Sequence, residues 1–222
     1  AGAHGPSSVD RMFAKLIAGI QAGRYVPGQR LIEGDLTAEF GLSRGTVREA
    51  LARLAAEGLI ELVPHRGAYI RILTRQDVHD MLLVVERLAS LAAYLAAKAI
   101  DKRPNRVAFE DAYARVRALQ AHPEGLGAVQ ARTKFYEVLM AASGNRELAR
   151  TMPLMHVHLL RMQFHQFMRP KDRQAQFAEY DALARNILAG SPERAEAAMR
   201  RHIQRTRRRL ERLPDEFFPM PR

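Results

Sequence analysis

Two arginines and a threonine alternate within five residues, as Arg44, Thr46 and Arg48, and Ser43 precedes them directly. A guanidinium presents a planar fork of donors that fits a phosphate or the O6 and N7 atoms of guanine, while a threonine can contact a thymine methyl or a phosphate. Serine is a favoured N-cap, so these side chains would project from the first turns of a helix, where free N–H groups also bind phosphate. The segment therefore predicts contacts with a nucleic acid.

Elements on both sides of this segment would hold it in place. Helical periodicity, caps and β-favouring runs predict helices at 8–23, at 33–40 with Gly41 as its C-cap, and from Ser43 to Glu57, followed by short strands at 59–63 and 68–72. Two helices joined by a tight turn, the second presenting polar side chains, form a helix-turn-helix. The two strands would form a hairpin behind it, a wing whose His65 and Arg66 lie near the backbone or minor groove of DNA.

A longer string of residues follows a family pattern. Its parts are Pro27-Gly28-Gln29-Arg30-Leu31, Ser43-Arg44-x-Thr46-Val47-Arg48-Glu49-Ala50-Leu51, Leu54-x-x-Glu57-Gly58-Leu59-Ile60 and Arg66-Gly67. Over about residues 8–72 the chain thus resembles the winged-helix domain of the GntR superfamily of transcriptional regulators. The resemblance implies DNA contacts by the recognition helix and the wing, through Ser43, Arg44, Thr46, Arg48, His65, Arg66 and Gly67. Gly34 departs from the pattern, because many members carry a phosphate-contacting arginine there.

From Thr74 onward the sequence predicts helices only. Thr74 and Asp77 have the spacing of a capping box, and Ser191 and Pro192 suit the N-cap and first position of the last helix. The helices after the first are predicted at 106–121, 125–142, 146–168, 172–189 and 192–213. The predicted fold class is mostly α, with a winged helix-turn-helix of three helices and a small β-hairpin over residues 1–73, followed by an all-helical six-helix bundle over residues 74–222.

Two strings in the helical half match a second family pattern. They are Phe135-x-x-x-Leu139 followed by Ala142-Ser143-Gly144-Asn145, and Ala195-x-x-Ala198-Met199-x-x-His202. This half is similar to the FCD domain of the FadR/VanR-like branch of the superfamily, and six helices favour the VanR-like version. The resemblance implies a domain that dimerises and binds a small-molecule effector.

The same resemblance implies a metal, because many FCD domains hold a divalent ion with one aspartate and three histidines, and the ion anchors a small organic acid. Alignment on the two strings places Arg132 at the aspartate and His202 at the last histidine. Tyr136 and Tyr180 fall at the other two histidines. A cation cannot replace a carboxylate ligand, and tyrosine, with a pKa of about 10, binds such ions poorly at neutral pH. We therefore expect no metal and no other cofactor.

The substituted positions suggest a different pocket chemistry. Arg132 and Tyr136 share a helical face by their spacing, so both could point into the bundle. Arg132 could then bind an anionic effector directly, with hydrogen bonds from Tyr136, Tyr180 and His202. Since a buried unpaired guanidinium is costly, Arg132 could instead pair with an internal carboxylate in a repacked pocket. The sequence leaves both arrangements open.

The composition of the 222 residues excludes several other kinds of site. The absence of cysteine excludes disulfides, thiolate metal sites and cysteine nucleophiles. No apolar run approaches the roughly 20 residues that span a bilayer, and the N-terminus lacks the features of a secretory signal, so we expect a cytoplasmic protein with no membrane partner. The formal net charge of +11 suits an anionic partner, but arginines between Arg194 and Arg212 supply much of it in a pattern typical of a solvated helix face.

These features together predict a homodimeric transcriptional regulator rather than an enzyme. It would bind a double-stranded DNA operator, and a small, anionic metabolite in the helical domain would modulate that binding. The resemblance implies that the metabolite relieves repression. One alternative is a constitutive DNA-binding dimer with a degenerate effector pocket. The other is a helical enzyme with an appended DNA-binding module, which the sequence disfavours because it contains no nucleophile elbow and no glycine-rich phosphate loop.

Overall fold

A computed structural model describes residues 5–102, 104–120 and 125–219 of the chain. The chain divides into two compact units, Ala1–Ile72 and Leu73–Arg222, which we call unit 1 and unit 2. Each unit has buried apolar side chains of its own, and each is described separately.

The described residues of unit 1 form three helices and three short strands. In chain order they are α1 (Ser8–Gln21), β1 (Arg30–Leu31), α2 (Glu33–Phe40), α3 (Arg44–Ala56), β2 (Ile60–Val63) and β3 (Gly67–Ile70). The Gly41 C-cap is confirmed, since its φ of 63° is left-handed and its N–H bonds back to Thr37. The Ser43 N-cap is also confirmed, because its side chain accepts a hydrogen bond from the Thr46 amide.

The predicted hairpin is present, but it belongs to a three-stranded antiparallel sheet in the order β1-β3-β2. Val63 is paired with Gly67 next to the turn, and Arg30 and Leu31 of β1 pair with Tyr69 and Ala68 on the other side of β3. The strand β1 was not predicted, because a strand of two residues is too short to show a periodic pattern. Its consequence is that Arg30 is fixed beside the wing.

The core of unit 1 lies mainly between α1 and α3. Leu16 and Ile20 of α1 and Val47, Leu51 and Leu54 of α3 are all almost completely buried. These α3 residues recur every three or four positions, so one face of the helix is buried and the opposite face stays in solvent. Arg44 and Arg48 lie on the exposed side.

The described residues of unit 2 form seven α-helices and two short 3-10 helices. The α-helices are α4 (Arg75–Ala99), α5 (Asn105–Ala118), α6 (Leu126–Ala142), α7 (Arg146–Thr151), α8 (Leu154–Phe164), α9 (Pro170–Leu188) and α10 (Pro192–Glu211), and the 3-10 helices are His165–Phe167 and Asp215–Phe217. The helix predicted at 106–121 ends earlier, at Ala118, and residue 121 itself lies outside the described residues. The predicted capping box of α4 is confirmed, since Thr74 and Asp77 each bond to the other's backbone N–H.

One predicted helix, 146–168, is wrong as a single element. The structure divides it into α7 and α8 at Met152 and Pro153. Met152 has an extended backbone, with φ of −64° and ψ of 119°, as expected before a proline, and Pro153 has no N–H to continue the helical hydrogen bonds. A smaller correction concerns α10, where Pro192 holds the first position but the Ser191 side chain forms no capping hydrogen bond within the described residues.

The core of unit 2 is built from helix-on-helix packing, most extensively between α4 and α10 and between α5 and α6. Phe135 of α6 is completely buried at its centre, with its ring 5.2 Å from that of Phe109 and 5.2 Å from that of Tyr180. The described part of the chain contains no helix that is both long enough and apolar enough to cross a bilayer.

Candidate nucleic-acid interface and ligand pocket

The start of α3 carries two hydroxyl groups that hold each other. The Ser43 side-chain oxygen accepts a hydrogen bond from the Thr46 amide at 3.2 Å and lies 3.0 Å from the Thr46 hydroxyl. This cap satisfies one of the backbone donors that a helix leaves open at its N-terminus. The remaining donors of the first turn are available to an anion.

The two arginines of α3 differ in their contacts. The side chain of Arg44 forms no hydrogen bond or ion pair within the described residues and projects into solvent. Arg48 is also exposed, but its Nε donates to Glu33 Oε2 of α2 at 2.9 Å. An ion pair on the surface contributes only about 0–1 kcal/mol, so Arg48 can exchange this carboxylate for another acceptor at little cost.

The wing is a tight turn with two residues in the left-handed region of backbone conformation. His65 has φ of 61° and Gly67 has φ of 101°, and Gly67 is the position where only glycine avoids strain. The Tyr69 hydroxyl donates to the Arg66 carbonyl at 3.2 Å, which ties the turn to β3. His65 and Arg66 are exposed at its tip, and Arg30 of β1 lies beside Gly67.

Unit 1 therefore presents two kinds of surface that suit a duplex. Exposed donors and cations at the start of a helix suit the major groove, where a recognition helix presents its N-terminal residues to base edges. A basic turn next to it suits phosphates or the minor groove, where contacts fix position more than sequence. Arg30 was not assigned a contact from the sequence, and only its pairing in β1 reveals its place next to the wing.

In unit 2, one cavity brings together all four residues that the sequence analysis selected for an effector. Arg132 and Tyr136 of α6, Tyr180 of α9 and His202 of α10 line a space of about 580 Å³, including the part open to solvent. Three residues that were not predicted also line this cavity, from α8, α9 and α10: Arg161, Gln176 and Thr206. Their positions depend on how the helices pack, and no local pattern marks them.

Arg132 is partly buried in this cavity, and its contacts are neutral. Its Nε donates to the Ala128 carbonyl at 2.9 Å and its Nη1 donates to Gln176 Oε1 at 2.6 Å. Burial lowers the pKa of Arg132, and the neighbouring Arg161 guanidinium acts in the same direction. The internal carboxylate considered as its partner is absent, since no ion pair of Arg132 occurs within the described residues.

The two tyrosines surround a second guanidinium. The Tyr136 hydroxyl donates to Met199 Sδ at 3.7 Å. Arg161 lies over the Tyr136 ring at 4.6 Å and lines the same cavity as Tyr180. Its Nη1 also donates to the Thr133 hydroxyl at 3.3 Å. Burial raises the pKa of both tyrosines, so they are neutral hydroxyl groups at physiological pH.

His202 is held by the carboxylate of Glu179. Its Nδ1 lies 2.8 Å from Glu179 Oε2, and the same carboxylate accepts a hydrogen bond from Arg209 and pairs with Arg205 at 3.5 Å. Burial lowers the pKa of His202, so the ring is neutral near pH 7. A carboxylate only accepts, so Nδ1 carries the proton and Nε2 is left as an acceptor.

The residues at the four family positions do not fit a divalent metal. They offer one imidazole nitrogen, two neutral phenols and one guanidinium, whereas such a site needs three or four donors of suitable charge. Glu179 is already bound by His202 and Arg209. Among the described residues, no group of three or more histidine, aspartate and glutamate side chains is placed to hold a metal ion.

Comparisons with known proteins agree with this arrangement. The family profile described as "Bacterial regulatory proteins, gntR family" matches residues 9–70, and the profile of the FCD domain matches residues 80–205. A relative named as the uncharacterized HTH-type transcriptional regulator YdhC of Bacillus subtilis (strain 168) is 29% identical over 126 residues. That alignment covers 57% of this chain and 56% of YdhC, so the chain spans little more than half the length of this relative.

Two further proteins match over most of the chain. A probable D-xylose utilization operon transcriptional repressor of Paenarthrobacter nicotinovorans is 26% identical over 191 residues, which are 85% of this chain and 82% of that protein. The solved structure of E. coli McbR/YncC shares the fold with a TM-score of 0.77 and 16% identity, covering 92% of this chain and 97% of that one. Because the FCD profile alone spans more than half of the chain, the chain belongs to the gntR family of bacterial regulatory proteins, as a DNA-binding transcriptional regulator with an FCD domain and not an enzyme.

Proposed function

We propose that this regulator is a homodimeric repressor whose operator affinity falls when a small anionic metabolite binds in unit 2. The observation that carries the proposal is Arg132, a guanidinium in a cavity with no carboxylate partner among the described residues. A charged group away from bulk water is stabilised by an opposite charge, which an anionic ligand would supply. The name of the Paenarthrobacter relative, a probable repressor, supports the sign of regulation.

In this proposal α3 reads the operator and the wing positions it. Arg44 and Arg48 would contact base edges or phosphates in the major groove, with Ser43 and Thr46 binding phosphate beside them. The wing residues His65, Arg66 and Gly67 would approach the backbone or the minor groove. Support comes from the exposure of all these residues except the half-buried Thr46, and from the cap that fixes the start of α3.

The dimer would form through an apolar stripe on α4. Its members are spaced alternately by three and four residues and are half-buried or exposed in the single chain, with Val84 at 51% and Leu91 at 45%; they are Met81, Val84, Leu88, Leu91 and Leu95. This spacing is that of a helix seam that packs against another helix. A second copy of the chain is the proposed occupant, because one winged helix reads only a few base pairs and an operator of useful length needs two.

Regulation requires only that the ligand binds two dimer arrangements unequally. A metabolite that binds more tightly to the arrangement that fits the operator poorly must, by reciprocal linkage, weaken operator binding. The protein would perform this in the cytoplasm, where the operator is found.

The proposed DNA contacts are tested by removing Arg44. We expect Arg44→Ala to weaken binding to an operator selected from random DNA by about 1–3 kcal/mol, because a base-reading arginine is lost. Fluorescence anisotropy with the full chain measures this affinity. Arg24→Ala is the matched control, since Arg24 is an exposed arginine of unit 1 that pairs with Glu39 away from α3. Equal affinities of the two variants for the operator would contradict the assignment.

A further inference from the structure

The cavity lined by Arg132 has a cluster of polar side chains at one end. Arg132 and Tyr136 lie one turn apart on α6, Gln176 and Tyr180 lie one turn apart on α9, and the hydrogen bond from Arg132 to Gln176 joins the two helices. The His202 ring lies 4.8 Å from the Tyr180 ring and adds α10 to the same end. This end therefore offers donors from several helices to one ligand group.

The other end of the cavity is apolar. Along α10 the lining extends from His202 to Leu210, a rise of about 12 Å at 1.5 Å per residue. Leu210 also lines the neighbouring cavity together with Phe218, and the Phe218 ring packs 5.0 Å from that of Phe164. Leu82 and Met168 also line the cavity. The cavity is thus longer than a small polar acid and changes from polar to apolar along its length.

Two observations show unused bonding capacity in the cavity. The hydroxyl of Thr206, one turn beyond His202, is buried and has no hydrogen-bond partner among the described residues. Buried hydroxyls usually have partners. Arg132 has five N–H donors, of which the Ala128 carbonyl and Gln176 account for two. These groups suit a ligand that brings acceptors.

The guanidinium of Arg161 supplies positive charge in the part of the cavity where a metal ion would otherwise supply it. Arg161 lies against Tyr136 and Tyr180, which stand at two of the four positions where relatives carry metal ligands. A divalent ion there would be repelled by Arg161 and Arg132 together. An acid can therefore be bound by the two guanidiniums without an intervening ion.

We propose that the cavity binds an amphipathic carboxylic acid without metal, with the carboxylate between Arg132 and Arg161 and the apolar body directed towards Leu82, Phe164 and Leu210. This inference rests on the proposed function and specifies the ligand class of its effector site. The guanidiniums donate charge-assisted hydrogen bonds to the carboxylate. Binding of the ligand body at the apolar end removes apolar surface from water, which stabilises the complex.

A series of straight-chain acids tests the ligand class. Isothermal titration of the full chain in EDTA with acetate, butanoate, hexanoate and octanoate should show affinity rising by about fourfold for each added methylene, because each one buries further apolar surface. Succinate and inorganic phosphate should bind more weakly than octanoate. Added zinc should leave the octanoate affinity unchanged.

Variants locate the two ends of the ligand. Arg132→Gln and Arg161→Gln should each weaken octanoate binding by about tenfold or more, since each removes a charged donor. Leu210→Gln should weaken octanoate binding but not butanoate binding. Lys134→Gln is the matched control, because Lys134 is an exposed cation on the same helix as Arg132 and should have no effect. Circular dichroism and the melting temperature separate loss of binding from loss of fold.

Several outcomes would overturn the inference: binding that requires zinc, a preference for succinate or phosphate without dependence on chain length, or no binding of any acid in the series. Operator affinity measured in the same samples separates this inference from the proposed function. If octanoate binds but operator affinity is unchanged, the regulatory proposal fails and the ligand class stands. If a metabolite of another class changes operator affinity, the regulatory proposal stands and the ligand class is wrong.

Discussion

Units 1 and 2 build their candidate sites in opposite ways. The residues proposed to bind DNA lie in two short segments at the surface of unit 1, and Arg44 and Thr46 sit within one helical turn. The pocket residues of unit 2 come from separate helices and line a cavity whose walls also belong to the core. The first site can therefore lose a side chain without unfolding, whereas several changes at the second alter the packing of the unit itself.

The largest expected effect is on the free energy of unfolding, when a core residue of either unit is replaced by alanine. Phe135→Ala should lower the stability of unit 2 by about 3–5 kcal/mol, because it leaves a cavity among Phe109, Tyr136 and Tyr180. Leu54→Ala should lower that of unit 1 by about 2–5 kcal/mol. Denaturant unfolding with separate probes for each unit measures both. A loss shared equally by the two units in either variant would show that they do not unfold as separate bodies.

The next effect concerns the apolar stripe on α4. Val84→Glu should weaken the dimer, because it places a charge in the proposed seam, and operator affinity should fall by about tenfold or more as two half-sites are no longer held together. Sedimentation of the full chain at micromolar concentration measures the dimer. Gln76→Glu, an exposed change on the same helix outside the stripe, is the control. A Val84→Glu protein that stays dimeric would place the interface elsewhere.

A smaller effect is the pH dependence of unit 2. Burial lowers the pKa of His202 below its ordinary value of 6.5, so the unfolded chain binds this proton more readily than the folded one. Stability should therefore be full above about pH 6.5 and decrease as the pH falls through the lowered pKa. His202→Gln should remove this slope between pH 7 and pH 5. Melting temperatures across that range test it, and a wild-type curve that is flat from pH 7 to pH 5 would contradict it.

The smallest effect on operator affinity is expected when the ion pair between Arg48 and Glu33 is removed. Glu33→Gln removes the carboxylate that holds Arg48, so operator binding should strengthen slightly, by less than about 1 kcal/mol. Glu39→Gln, which affects the pair of Arg24 instead, should leave operator affinity unchanged. Weaker operator binding by Glu33→Gln would mean that the ion pair orients Arg48 for DNA rather than competing with it.

The sequence predicts the two units unequally for the same reason. The features of α3 depend on residues that are close together in the sequence. The residues from Ser43 to Arg48 are therefore enough to predict its cap, its buried face and its exposed arginines. The pocket is not local, because Arg161 and Thr206 enter it only through the packing of α8 and α10. Arg132 and Tyr136 could be placed from their spacing and from the family pattern. The lack of a carboxylate partner for Arg132 among the described residues could not be predicted in this way.

Short secondary-structure elements and breaks were also difficult to predict from the sequence. The strand β1 is defined entirely by its pairing with β3, and the division of 146–168 depends on how Met152 and Pro153 fit between two helices. The caps at Gly41, Ser43 and Thr74 were predictable because each depends on the residues within one turn.

The paired hydroxyls at the start of α3 also have an entropic consequence. Ser43 and Thr46 are each restrained by a hydrogen bond before any partner arrives. Ordering a mobile side chain on association costs about 0.5–1.5 kcal/mol, and for these two groups most of that ordering occurs during folding. Arg44 and Arg66 are exposed and unrestrained by comparison, so the conformational freedom lost at the operator should come mainly from long basic side chains. Substitutions at the cap would therefore change the entropy of association through side chains that need not touch a base.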